Sequence, residues 1–149
     1  MEKNGFLKKI LMLAVMAVVG FGCSSVAVTG RRQLNLVNQS EVISLSRQQY
    51  QSVLKSSALS NDKVQSEMVK RVGIRIQHAV ESYLTSTGKS SVLADFNWEF
   101  SLIQQDSTAN AWCMPGGKVA FYTGIMPVCK DESGVAVVMG HEVAHAIAN

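Results

Sequence analysis

No basic cluster larger than the pairs Arg31-Arg32 and Lys70-Arg71 occurs in this sequence, which removes the electrostatic footprint that nucleic-acid binding requires. Internal repeats and low-complexity tracts are also missing, so neither a solenoid nor a disordered tail describes the chain. Charge is scarce at 17% of residues, and the formal net charge of +3 is concentrated at the start. Setting aside Lys3, Lys8, Lys9 and Glu2 leaves 11 of the 14 basic and 10 of the 11 acidic residues, a nearly neutral remainder. Long apolar runs are lacking too: as a helix, residues 10–22 would cover about 20 Å, short of the roughly 30 Å hydrocarbon core of a bilayer. What is present is a chain of 149 residues, 47% hydrophobic, enough for one modest core and one globular domain.

Lys8-Lys9 followed by a short apolar stretch has the layout of a secretory signal peptide. The stretch ends in Gly20-Phe21-Gly22-Cys23, and small residues before a cysteine resemble a bacterial lipobox. On that reading residues 1–22 are a lipoprotein signal peptide, the Cys23 thiol is lipidated, and the chain is held to a membrane by acyl chains. Gly20 departs from the aliphatic residue usual there, so ordinary cleavage or an uncleaved anchor stays open. Ser24 favours outer-membrane sorting by resemblance to other lipoproteins. Residues 23–39 then read as a tether and a short extended segment, in which Leu34 and Leu36 alternate with polar neighbours after the turn signal Thr29-Gly30.

Residues 40–56 predict a first helix, with Ser40 as N-cap and Val42, Leu45, Tyr50, Val53 and Leu54 apolar. Residues 62–84 predict a second, in which Val64, Met68, Val72, Ile76 and Val80 recur every four positions. His78 and Glu81 lie three apart on it; with no further ligand nearby they read as the solvated edge of an amphipathic helix. A polar loop follows at 85–91. Phe96, Trp98, Phe100 and Leu102 alternate with polar residues as in a strand with one aromatic face buried. After a loop at 104–109, Pro115-Gly116 has the chemistry of a type II turn, and residues 119–123 make another strand, closed by Gly124.

The last predicted helix begins near Asp131 or Ser133. It carries Val135, Met139, Val143 and Ile147 as one apolar row and Ala136, Gly140 and Ala144 as a row of small residues, so it reads as buried on most sides. On its remaining edge stands His141-Glu142-Val143-Ala144-His145, two imidazoles one helical turn apart with a glutamate between them. Neutral imidazoles suit Zn²⁺, and a catalytic zinc needs three protein ligands plus an open position. Glu142 then has the role of general base toward a water attacking a peptide carbonyl. A buried helix with two satisfied histidines is the bland alternative, but a glutamate among Val, Ala, Gly and Met is costly without a partner. A metzincin is excluded, since Ala148 stands where that class needs a glycine. Cys113 and Cys129 flank the second strand and read either as a disulfide or as two buried small hydrophobes.

Together with Asn110-Ala111-Trp112, Pro115-Gly116-Gly117 and Tyr122-Thr123-Gly124, the histidine motif resembles the zinc metallopeptidases related to HtpX and the CAAX prenyl endopeptidases. Residues 28–34 are similar to a stretch of their periplasmic lipoprotein branch, so the resemblance covers about residue 28 to the end. It implies a helix-rich α+β, zincin-like fold with a small sheet, residues 40–149 forming the N-terminal part of a peptidase domain that is incomplete at the C-terminus. It implies Zn²⁺ on His141 and His145 and Glu142 as the base. Lys118, Val119, Ala120, Phe121 and Tyr122 are implied as a cleft wall where an extended polypeptide substrate adds its backbone to a sheet edge; ordinary core sheet is the other reading of that strand. The third zinc ligand, a glutamate on a later helix, and the oxyanion stabilisers are implied beyond Asn149, so the chain is expected to be an inactive piece of a longer enzyme. The expected function is that of a zinc endopeptidase of the bacterial cell envelope, an outer-membrane lipoprotein facing the periplasm and acting on misfolded envelope proteins. A noncatalytic peptide-binding or chaperone-like module is the reading from a different class.

Overall fold

The fold is that of a computed structural model, which describes residues 23–25, 32–34 and 38–148. The leader expected at 1–22 lies outside the described residues. Two three-residue strands, β1 (Cys23–Ser25) and β2 (Arg32–Leu34), pair antiparallel with Cys23 opposite Leu34, so the expected tether contains a small paired element.

Helix α1 (Gln39–Ser56) starts one residue before the expected position, because Asn38 rather than Ser40 is the cap: its Oδ1 accepts the Ser40 amide at 3.1 Å and the Ser40 hydroxyl at 2.9 Å. Ile43 and Tyr50 are its buried residues, whereas Leu45 is exposed. Helix α2 (Lys63–Ser86) is capped by Asp62, which accepts the Gln65 amide at 3.0 Å, and it runs on into the expected loop. Its buried residues are Val69, Val72, Gly73 and Leu84, and Val64 is 74% exposed. The row of every fourth residue fails at its start because four helical steps overshoot a full turn by about 40°, so the row drifts off the buried stripe. His78 is exposed and Glu81 accepts the Gln77 side-chain amide at 2.9 Å, in keeping with a solvated edge. Among the described residues no helix is long and apolar enough to cross a membrane.

A 3-10 turn (Ser90–Leu93) leads into β3 (Glu99–Ile103), which begins later than the alternation suggests. Phe96 and Trp98 precede the strand and stack with Phe100, the centroids 5.1 Å and 6.1 Å apart in turn. Strand β4 (Ala111–Met114), unread in the sequence, and β5 (Lys118–Tyr122) form a hairpin. At its turn the Gly117 amide donates to Met114 O at 3.2 Å and Gly116 has φ of 85°, the type II geometry expected of Pro115-Gly116. The sheet order is β3-β5-β4, with β5 parallel to β3 and antiparallel to β4.

A second 3-10 turn (Thr123–Ile125) and the short helix α3 (Met126–Cys129) lead to α4 (Glu132–Ala148), where Asp131 Oδ1 accepts the Gly134 amide at 3.0 Å. Arg71 of α2 grips Glu132 through both Nε and Nη2, tying the start of α4 to α2. Helices α2 and α4 cover one sheet face around Val69, Val72, Leu102, Val119, Phe121, Val135, Met139 and Val143; α1 covers the other through Tyr50, Ile103 and Ala120. The whole is a helix-rich α+β fold with a small three-stranded sheet, as expected. One expectation about α4 is corrected. Its pattern reads as buried on most sides, but Val137 is 73% exposed and Ala144 of the small-residue row is exposed together with His141 and His145, so the buried side is confined to the row of Val135, Met139 and Val143.

Candidate metal centre

His141 and His145 share one face of α4, and the helical repeat brings their Nε2 atoms to 3.1 Å with the rings at 84° to each other. A tetrahedral zinc with bonds of about 2.0–2.1 Å separates two nitrogen ligands by roughly 3.3 Å, so the pair is spaced as one ion requires. Among the described residues no group of three or more His, Cys, Asp or Glu side chains gathers at one point, so the candidate donors here are the two imidazoles.

Glu142 is half buried, and α4 packs beneath β4. Its charge reaches Cys113 on the α4 face of that strand. Burial first, and the Glu142 carboxylate second, push the Cys113 thiol up to about 12, so the sulfur is a neutral neighbour of the carboxylate at physiological pH. Cys113 and Cys129 are separate thiols, not a disulfide, and burial raises the Cys129 pKa as well.

The cleft-wall expectation for Lys118, Val119, Ala120, Phe121 and Tyr122 is corrected by the topology. Strand β5 is central, paired on both sides, and all of its residues but Tyr122 are buried, so it has no backbone to offer a substrate. Lys118 is 2% exposed and directs its ammonium to Glu99 Oε1 at 2.6 Å and to the carbonyl of Asn97. The open edge belongs to β4. Tyr122 N–H donates to Asn110 O at 3.0 Å, and antiparallel alternation therefore turns the backbone of Trp112 and Met114 toward β5 and that of Ala111 and Cys113 away from it. Asn110 Oδ1 already takes the Ala111 amide at 2.9 Å, which leaves the Ala111 carbonyl and both backbone groups of Cys113 facing outward. Sequence reasoning passed over β4 because its four residues show no clean alternation; the turn after them was the available signal.

A family model described as peptidase family M48 matches residues 74–149, just over half of the chain and all of α4. The chain is 48% identical over 58 residues to the mitochondrial metalloendopeptidase OMA1 of Schizosaccharomyces pombe, a stretch that is 39% of this chain and 17% of that protein. It is 34% identical over 68 residues to the OMA1 of Saccharomyces cerevisiae (45% of this chain, 20% of that protein), and 25% identical over 122 residues to that of Bos taurus (80% and 22%). The chain thus spans about a fifth of the length of these relatives. They overturn the expected outer-membrane, periplasm-facing location, since each bears a mitochondrial name. The narrower resemblance to a periplasmic lipoprotein branch gains no support from them.

Proposed function

This chain belongs to peptidase family M48, and from that membership we propose that it forms part of a zinc metalloendopeptidase acting on extended polypeptide. The observation that carries the reading is the pair of Nε2 atoms 3.1 Å apart on an open helix face, with Glu142 between their residues in sequence. His141 and His145 hold the zinc. The third ligand comes from outside the described residues, by resemblance a glutamate. Zinc, when bound, supplies Lewis-acid polarisation of the scissile carbonyl and acidifies a water. Glu142 takes a proton from the attacking water on its carboxylate and hands it to the leaving amine nitrogen. The open edge of β4 aligns the substrate: the outward Cys113 amide and the Ala111 and Cys113 carbonyls pair with an extended backbone, which favours unfolded segments over folded surfaces. Such selection fits a role in protein quality control. The names of the relatives support a mitochondrial setting for it.

The test is zinc content together with cleavage of casein, for the natural protein and for Glu142→Gln. Stoichiometric zinc in both, with cleavage only in the natural protein, is the expected result. Casein bound but uncut by a zinc-free natural protein would replace the peptidase with a noncatalytic peptide-binding module.

A further inference from the structure

The metal centre leaves the Tyr122-Thr123-Gly124 motif and the loop at 104–110 without a role. Thr123 is buried at the exit of β5. Its hydroxyl donates to Asp106 Oδ1 at 2.5 Å and accepts the Gln105 amide at 2.8 Å, while Gln104 Nε2 donates to the same Asp106 oxygen at 2.9 Å. The Gly124 amide donates to Gln105 O at 3.2 Å, and a Cβ at Gly124 would lie 2.5 Å from Thr108 O and 2.6 Å from Asp106 O. The loop is therefore folded tightly onto the strand exit. Asn110, where it ends, takes the Tyr122 amide, and β4 begins at the next residue.

A four-residue edge strand has few ladder bonds of its own, so its placement depends on what holds its two ends. The Pro115-Gly116 turn holds one end and the loop clamped on Thr123 holds the other. We propose that Asp106 and Thr123 are positioning residues for substrate: their bond keeps the open edge of β4 in register with α4, which packs against that strand and carries Glu142. The inference rests on the edge-strand reading given above. Asp106 is exposed, so replacing it releases the clamp without opening the core.

The test uses the zinc-loaded natural protein carrying Glu142→Gln, so that bound polypeptide is not cut, with fluorescein-labelled casein as the probe and anisotropy as the readout. Asp106→Ala and Thr123→Val are each expected to weaken casein binding about three- to tenfold, as the hydrogen bonds that hold the loop to the strand exit are lost and the edge is less preorganised, with zinc content unchanged. Thr123→Ser, which keeps the hydroxyl, restores affinity. In the cleaving enzyme Asp106→Ala raises KM and leaves kcat in place. Cys113→Pro separates the two layers of the argument, since it removes an amide that faces the open edge, where proline is tolerated. If Cys113→Pro weakens binding and a folded Asp106→Ala does not, the clamp is refuted and the edge strand stands. If the background does not bind casein, or Cys113→Pro leaves its affinity unchanged, the edge strand and the clamp fall together. Should Thr123→Val not fold, Asp106→Ala decides.

Discussion

Lys118 and Glu99 face each other across the parallel pair β5 and β3, and the buried ammonium lies 2.6 Å from the carboxylate while also serving the carbonyl of Asn97. Glu99 is the water-facing end of this pair, its side chain 45% exposed against 2% for the lysine. Lys118→Ala leaves a cavity and an unpaired carbonyl, and it is expected to cost about 2–4 kcal/mol in urea unfolding. Casein affinity and zinc content should not change. A selective loss of casein binding at unchanged stability would return Lys118 to the cleft wall.

Removing either imidazole should empty the metal centre. His141→Ala or His145→Ala is expected to weaken zinc binding by at least about a hundredfold, measured by competition with a chromophoric chelator, because a single remaining ligand on α4 cannot chelate. Glu142→Gln keeps the zinc and lowers kcat by about 10²–10⁴, the usual worth of a general base.

The Cys113 thiol makes stability fall in alkali. It ionises near 9.0 in the unfolded chain and near about 12 in the folded one, so between those values the unfolded state has shed a proton that the folded state still holds. Stability from this group is fully present below about pH 9 and declines as pH rises toward about 12. Between pH 8 and pH 10 the loss is about 1 kcal/mol for this group, and Cys113→Ala should remove that part of the slope in urea titrations. The same protonation predicts slow alkylation of Cys113 by iodoacetamide at neutral pH relative to a free thiol.

Two glycines with similar backbone angles should respond differently. Gly117 has φ of 80°, and a Cβ there would lie 2.7 Å from the Trp98 ring; Gly88 has φ of 72° with nothing within 4 Å. Gly88→Ala pays only for the left-handed backbone, about 1–2 kcal/mol. Gly117→Ala adds a clash with an aromatic stack and should cost about 1–3 kcal/mol beyond that, read as the difference in urea midpoints.

The juxtaposition of the two imidazoles was legible because it is local. His141, Glu142 and His145 lie within one and a half turns of one helix, so the 3.6-residue repeat alone brings two imidazoles together. The same locality made Asp62 recognisable as a helix start and Pro115-Gly116 as a type II turn. The compartment was inferred from residues 1–22 and Cys23, and the names of the relatives overturn it.

What the sequence by itself determined, then, is the spacing of the His141 and His145 pair and the locations of the main helices, since each depends on neighbours within a few residues. Only the tertiary structure decided which strand is central and which is the edge. Strand order is set by pairing between segments far apart in the chain, and an apolar strand such as Lys118–Tyr122 reads the same whether it lines a cleft or fills a core. The exposure of the histidine face, the charge of Glu142 beside Cys113 and the bond between Asp106 and Thr123 likewise arise from long-range packing, which no local pattern encodes.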